Sequence, residues 1–283
     1  MQTVPTNGIL THYERRGSGP AVVFVHASIL DHSMWDEQVE ALADDYTTVV
    51  YDVRGHGRTG GSDLDTYSIG LYADDLHELV TALELDRPVI CGLSMGAMVA
   101  MTYAVRYPDD LSGLVLADAF TPEIVSKSDW LVRRIVLNAL IPPVRLFGYQ
   151  RVERANVWLT ERFARGAGGN YERIEQLRAD GPPMATDEFV KVVRSMTRFH
   201  DEPVDLSAIA VPTLVIYGEN ELPSVKQHAA ELAARVPDVT VDVVPDAGHA
   251  SNLDQPAYFS NAVRNLVERA YGTGGLVRDV SSP

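Results

Sequence analysis

Short apolar runs recur along the chain with polar, helix-compatible stretches between them. Seven segments read as strands: ILTHYER from residue 9, AVVFVHA from 21, TTVVYDV from 47, PVICGLS from 88, LSGLVLAD from 111, PTLVIYG from 212 and VTVDVVP from 239. Several are apolar almost throughout, as strands covered on both faces must be. Helices are expected between them over 34–43, 67–83, 95–107, 224–236 and 256–270. In the fourth of these, Ala229, Leu232, Ala233 and Val236 recur at helical spacing. Strand–helix alternation of this kind predicts an α/β fold, a mostly parallel sheet with helices on both faces.

The rhythm breaks between Phe120 and Asp205. That stretch holds Trp130, Phe147, Tyr149, Trp158, Phe163, Met184, Met196 and Phe199 but no strand-like run, and its apolar residues recur at helical spacing. Pro142-Pro143, the GAGG at 166–169 and Gly181-Pro182-Pro183 punctuate it. A structureless loop of such length would be out of place in a compact domain. Residues 120–205 are therefore expected to form an inserted helical cap on a core made of 1–119 and 206–283. The tail after Tyr271, GTGGLVRDVSSP, is expected to be mobile.

Composition narrows the function classes. With 24 Lys and Arg against 39 Asp and Glu, the formal charge is −15, which argues against nucleic acid or an anionic membrane as partner. No window has the apolar length of a membrane span. The opening MQTVPTNGILTHYERRG lacks the basic head and long apolar run of a secretory signal, so a soluble, cytoplasmic protein is expected. Cys91 is the only cysteine, which rules out an intramolecular disulfide and a cysteine-based metal site; in its apolar run it reads as a buried filler. Three lysines stand against 21 arginines, 23 aspartates and 16 glutamates. Such an Asp-rich, Lys-poor surface suits a salty cytoplasm and makes halophilic origin an expectation.

The chemistry centres on VICGLSMGAMVAM, residues 89–101. Gly92-Leu93-Ser94-Met95-Gly96 fits a G-x-S-x-G elbow, where a strand turns sharply into a helix and lifts a serine at the apex. Glycines two residues either side avoid collision with the neighbouring strand and helix. The helix beginning after Ser94 aims its positive end at developing negative charge.

A serine hydroxyl needs a base. His249, in VVPDAGHASNLDQP after the last strand, belongs at the carboxyl edge of the sheet, where Ser94 also belongs. His12, His200 and His228 lie in polar surroundings and are expected to be solvated. The third member should be an acid that holds the imidazole's tautomer. Glu221, in PTLVIYGENELPS, precedes His249 by 28 residues; Asp118, in LVLADAF, is the alternative. An oxyanion needs two donors: the backbone N–H of Met95, and that of Ser28 in VFVHASILDHSMW, with Ala27 as the other choice. His26 is read as bracing that loop, and Arg54 and His56 of DVRGHGRTG as structural loop residues.

With VFVHASILDHSMW, YDVRGHGRT, CGLSMGAM, PTLVIYGENE and PDAGHASNLDQP in this order, the chain resembles the α/β-hydrolase superfamily, in its esterase, lactonase, haloperoxidase and meta-cleavage hydrolase branch. The resemblance implies an eight-stranded sheet with Ser94 as nucleophile, His249 as base and the residue three after Gly218 as acid. It implies neither cofactor nor metal. Two departures stand out: the acid position holds Glu221 where relatives usually carry Asp, and the usual His-Gly is His26-Ala27. Ser94 argues against the epoxide- and halide-processing relatives, which place Asp there.

The expected activity is hydrolysis of an ester or lactone of a small, mostly apolar substrate through an acyl-enzyme. The alternatives are carbon–carbon hydrolysis of a vinylogous diketone with the same triad, incidental perhydrolase activity, and a ligand receptor with vestigial hydrolysis. Either a monomer or a homo-oligomer is compatible with the sequence.

Overall fold

The computed structural model describes residues 2–149, 151–152, 155 and 170–272. Trp158, Phe163, the run 166–169 and the tail beyond Gly272 lie outside the described residues.

The strands are β1 (Gln2–Thr6), β2 (Ile9–Arg16), β3 (Ala21–Val25), β4 (Thr47–Tyr51), β5 (Val89–Leu93), β6 (Gly113–Ala117), β7 (Thr213–Gly218) and β8 (Val239–Val244). They form one eight-stranded sheet in the order β1-β2-β4-β3-β5-β6-β7-β8. β2 pairs antiparallel with β1 and β4, and every other pairing is parallel. Seven strands lie where the apolar runs predicted them. β1 was not expected, because Pro5 breaks its pattern. As an edge strand with a single neighbour, β1 can carry a residue that has no N–H to donate.

The central strands β3, β4, β5 and β6 are buried along their whole length. Their side chains alternate between two cores, as a period of two demands. Val23, Val25, Ile90, Leu114 and Leu116 pack on one side with Leu76 and Leu79 of α2 (Ile69–Ala82) and Val99 and Tyr103 of α3 (Met95–Arg106). Val22, Phe24, Cys91 and Val115 face the other side. There Trp35 lies with its ring 5.0 Å from that of Phe24 and 5.8 Å from that of Phe259. Val39 and Leu42 of α1 (Asp36–Leu42) and Val263 and Leu266 of α11 (Pro256–Ala270) complete this core. Cys91 is fully buried among them.

Between β6 and β7 the chain leaves the sheet. The described residues there form α4 (Lys127–Leu131), a π-helical turn Val132–Val136, α5 (Leu137–Ala139), α6 (Ile141–Phe147), α7 (Tyr171–Asp180) and α8 (Thr186–Thr197), and no strand occurs among them. Ile141, Val144, Tyr149, Phe189, Val190 and Val193 make a separate small core, with the Tyr149 and Phe189 rings stacked at 5.5 Å. Pro142 and Pro143 do not break a helix here. They lie in the first turn of α6, whose N–H groups lack intrahelical partners in any case. After β7 follow α9 (Pro223–Arg235) and, beyond β8, the single turn α10 (Ser251–Asp254). No helix among the described residues is long and apolar enough to cross a membrane.

Candidate active site

The parallel strands share a direction, so the loops after β3, β5, β6, β7 and β8 converge on one edge of the sheet. Ser94 stands between β5 and α3 with φ 55° and ψ −110°, a strained backbone for a side-chain-bearing residue. The flanking glycines have a measurable reason. A Cβ on Gly92 would sit 2.1 Å from the Gly96 carbonyl oxygen, and one on Gly96 would sit 2.0 Å from that of Val25. The bend is that tight, and a methyl group on either residue forces it open. The Ser94 N–H donates to the Ala117 carbonyl at 2.9 Å, which ties the bend to β6. The side chain of Ser94 does not cap α3, so its hydroxyl is free for another partner.

That partner is His249. Its Nε2 lies 3.0 Å from Ser94 Oγ, and its Nδ1 lies 2.6 Å from Glu221 Oε2. A carboxylate only accepts, so Nδ1 carries the proton and Nε2 of the neutral ring is the acceptor for the serine hydroxyl. Glu221 has a fully buried side chain, and its other oxygen accepts the Leu222 N–H at 2.6 Å. The extra methylene of Glu over Asp is accommodated because both oxygens have fixed donors. Burial penalises the charged imidazole of His249, but the Glu221 carboxylate, and then Asp118, outweigh it and raise its pKa above the ordinary value. Gly218 lets the two loops meet: a Cβ there would lie 2.3 Å from the Gly248 carbonyl oxygen.

Asp118, the alternative acid, is fully buried with φ 46° and makes no hydrogen bond to His249. Its Oδ1 accepts the Gly218 N–H at 3.1 Å; its Oδ2 accepts from Ser251 Oγ at 2.6 Å and from the Ser251 N–H at 3.3 Å. It fastens the end of β7 to the start of α10, on either side of the loops that carry Glu221 and His249. Burial raises its pKa to about 7, with the nearby Glu221 charge adding to the effect against the pull of His249 and the Ser251 hydroxyl.

The loop after β3 passes beside the elbow. His26 is buried; its Nε2 accepts the Val53 N–H at 2.9 Å and its Nδ1–H donates to the Ala27 carbonyl at 2.8 Å. The Ala27 N–H, the other choice for an oxyanion donor, points at Met34 Sδ, 3.2 Å away. Ser28 follows in a turn, and Met95 opens α3, where the first amides have no intrahelical acceptor. Arg54 is held by both oxygens of Asp75, at 2.6 and 2.8 Å, and His56 Nδ1–H donates to the Arg54 carbonyl.

Three histidines differ from expectation, His200 among them with its side chain only 8% exposed. His12 and His228 are 2% and 0% exposed, because a polar sequence neighbourhood does not reveal what the fold stacks on it. His228 Nδ1 accepts from the Thr121 hydroxyl at 2.9 Å, and its Nε2 lies 3.4 Å from Asp129, which also pairs with Arg133 at 2.9 Å. Phe120 stands against the rings of both His228 and His249, at 5.4 and 5.9 Å, so this buried polar cluster, shared by α9 and the β6–β7 insertion, abuts the site. Sequence reading passed over Ser251 and Asp254, which set the His249 loop. Asp254 accepts the Gly248 N–H at 2.7 Å, and no local signal marks a residue whose role is to hold a neighbour's backbone.

Residues 20–256 match the family model for the alpha/beta hydrolase fold. The chain belongs to that family. A hydrolase is the enzyme class that the match and the relatives support. The chain is similar to 3-oxoadipate enol-lactonase 2 of Acinetobacter baylyi, with 24% identity over 94% of this chain and 96% of the relative. It is also similar to 2-(acetamidomethylene)succinate hydrolase of Mesorhizobium japonicum, with 25% identity over 92% of each chain. Among solved structures, a thermophilic esterase from Thermogutta terrifontis superimposes with a TM-score of 0.77 at 26% identity, covering 95% of this chain and 99% of the esterase.

Proposed function

We propose that the chain is a serine hydrolase that cleaves small carboxylic esters or lactones through an acyl-enzyme. The observation that carries this reading is His249, set between the Ser94 hydroxyl at 3.0 Å and the buried Glu221 carboxylate at 2.6 Å. Ser94 Oγ attacks the carbonyl carbon as its proton passes to His249 Nε2. Glu221 stabilises the imidazolium and holds its tautomer. The oxyanion sits at the start of α3, between the backbone N–H groups of Met95 and Ser28. His249 then gives its proton to the leaving alkoxide. A water, deprotonated by the same nitrogen, releases the acid and restores Ser94. In a lactone the leaving alkoxide stays attached, and the product is a hydroxy acid. The likeness to an enol-lactonase and an esterase supports the ester and lactone class.

The stretch 120–205 between β6 and β7, helical where it is described, is our candidate for the cover of the substrate. Part of its apolar content is spent on its own core, through Tyr149 and Phe189, whereas Trp130 and Phe147 stay 48% and 60% exposed. Hydrolysis of p-nitrophenyl butyrate and of a γ-lactone tests the reading: turnover by the parent and none by Ser94→Ala upholds it. A folded parent inert on both, but active on a vinylogous diketone, moves the reaction to carbon–carbon cleavage. The acidic composition supports operation in concentrated salt, and a melting temperature that falls between dilute and molar KCl refutes that.

A further inference from the structure

Beside the loop that carries Ser28, the fold gathers groups that ester cleavage leaves unused. His12 and Glu14 are two apart on β2 and share a face. His32 opens the 3-10 turn His32–Trp35 that follows the β3 loop. One imidazole nitrogen from each histidine and one Glu14 carboxylate oxygen lie within 4.8 Å of one another.

Three observations set this cluster apart from a chance gathering of polar residues. His12 is 2% exposed, and its buried Nε2 has no hydrogen-bond partner among the described residues. A buried ring nitrogen left unpaired is costly, so it calls for an occupant. The second concerns His32, whose Nδ1–H donates to Asp52 Oδ1 at 2.6 Å, while its own backbone N–H reaches the same oxygen at 3.0 Å. This fixes the ring and turns Nε2 toward Glu14 Oε1, 3.7 Å away. In the neutral ring, with the proton on Nδ1, both of those atoms are acceptors, and a second proton or a metal ion between them resolves the conflict. The third is Glu14 itself: Arg16 engages its Oε2 at 3.3 Å and leaves Oε1 to the histidines, and the 34% exposure of its side chain opens a way in from solvent.

We propose that His12, His32 and Glu14 form a site for one divalent late first-row metal ion of the zinc class, with Asp52 behind His32 as its orienting carboxylate. Two imidazoles and a carboxylate suit that class, and a metal-binding histidine normally gives its other N–H to a carboxylate or carbonyl. Ligands about 2.1 Å from zinc in a tetrahedron stand roughly 3.4 Å apart, so side-chain shifts of about 1 Å close the set. Water takes the fourth position on the Glu14 side. The ion joins β2 to the turn after β3, and so braces the loop that presents Ser28. A competing donor set, Asp31, His32 and Asp52, shares His32 but excludes His12. The other cation here is Arg58, whose backbone N–H donates to Asp52 Oδ2 at 2.7 Å.

The test uses the full chain, stripped with a chelator and dialysed against Zn²⁺, with Co²⁺ as the visible probe. One equivalent of Zn²⁺, a tetrahedral Co²⁺ absorption band and a rise in melting temperature are expected. His12→Gln should weaken binding at least about 100-fold and Glu14→Gln about 10- to 100-fold, whereas Asp31→Asn should bind as the parent does. Near-ultraviolet circular dichroism verifies that each variant is folded; should His12→Gln fail to fold, Glu14→Gln decides. Uptake below one equivalent overturns the site, as does binding that survives in both the His12 and Glu14 variants. The latter result leaves the Asp31 set, or His249 with Glu221, as the binder. Ester turnover is assayed separately, so neither result bears on the proposed reaction.

Discussion

Two histidines on the same edge of the sheet are held in the same way. His249 rests its Nδ1 on buried Glu221 and His32 rests its Nδ1 on buried Asp52, both at 2.6 Å. They differ in what waits at Nε2. For His249 it is a serine hydroxyl on a strained turn, and in the proposed reaction the pair becomes a base with a proton to take. For His32 it is a second imidazole and a carboxylate, and in the proposed site the same pair becomes a metal ligand. A carboxylate–histidine dyad is thus only half of a function. It fixes the tautomer and orientation, and the atom opposite decides the chemistry.

The sharpest way to separate the two halves is Ser94→Ala. Ester turnover should fall by about 10⁴-fold or more, while zinc uptake at His32 is unchanged; equal loss of both would mean that the two sites are not independent. Next comes Glu221→Gln, for which kcat should drop about 10⁴-fold as the tautomer is lost. It should also move the acid limb of the pH–rate profile. The carboxylate raises the His249 pKa, and the base must be neutral, so the parent limb lies above the pH 6.5 of a free histidine and the variant limb lies lower. The stability contributed by the charged pair runs the opposite way: it is present at low pH and fades as pH rises through the raised pKa. A limb that stays put would show that Glu221 does not set this pKa. At the other dyad, Asp52→Asn should lower zinc affinity about 10- to 100-fold, read by competition with a chromogenic chelator, and an unchanged affinity would break the parallel. The smallest effect on rate belongs to Asp118→Asn. Turnover should stay within about 10-fold, whereas stability falls by about 1–3 kcal/mol as an amide NH2 replaces one acceptor oxygen and leaves either the Ser251 or the Gly218 donors unpaired; denaturant unfolding measures the second. A rate loss matching that of Glu221→Gln would make Asp118 the acid after all.

Much of the fold was legible in the chain itself. The fully apolar runs around Val23, Val49, Ile90 and Val115 lie where strands covered on both faces are found. Ser94 was legible because an elbow needs glycine at fixed offsets, and the collisions at Gly92 and Gly96 give that spacing its cause. β1 was not legible, because Pro5 contradicts strand propensity and only an edge position excuses it.

The sequence determined what depends on near neighbours: periodicity, the elbow, and histidine and acid placed after strands. It narrowed the acid to Glu221 or Asp118 but could not choose, since each follows a parallel strand by a few residues. What supports Glu221 is where the donors lie in the tertiary structure. Ser251 and Gly218 occupy both oxygens of Asp118, whereas Glu221 keeps one oxygen for His249. His12, Glu14, His32 and Asp52 were likewise beyond sequence reading. They come from β2, the β3 loop and the end of β4, and the pairing of β4 with both β2 and β3 brings them within reach of one another. Hydrogen bonds and metal ligation act over a few ångströms of space, and separation along the chain says little about such distances until the sheet is assembled.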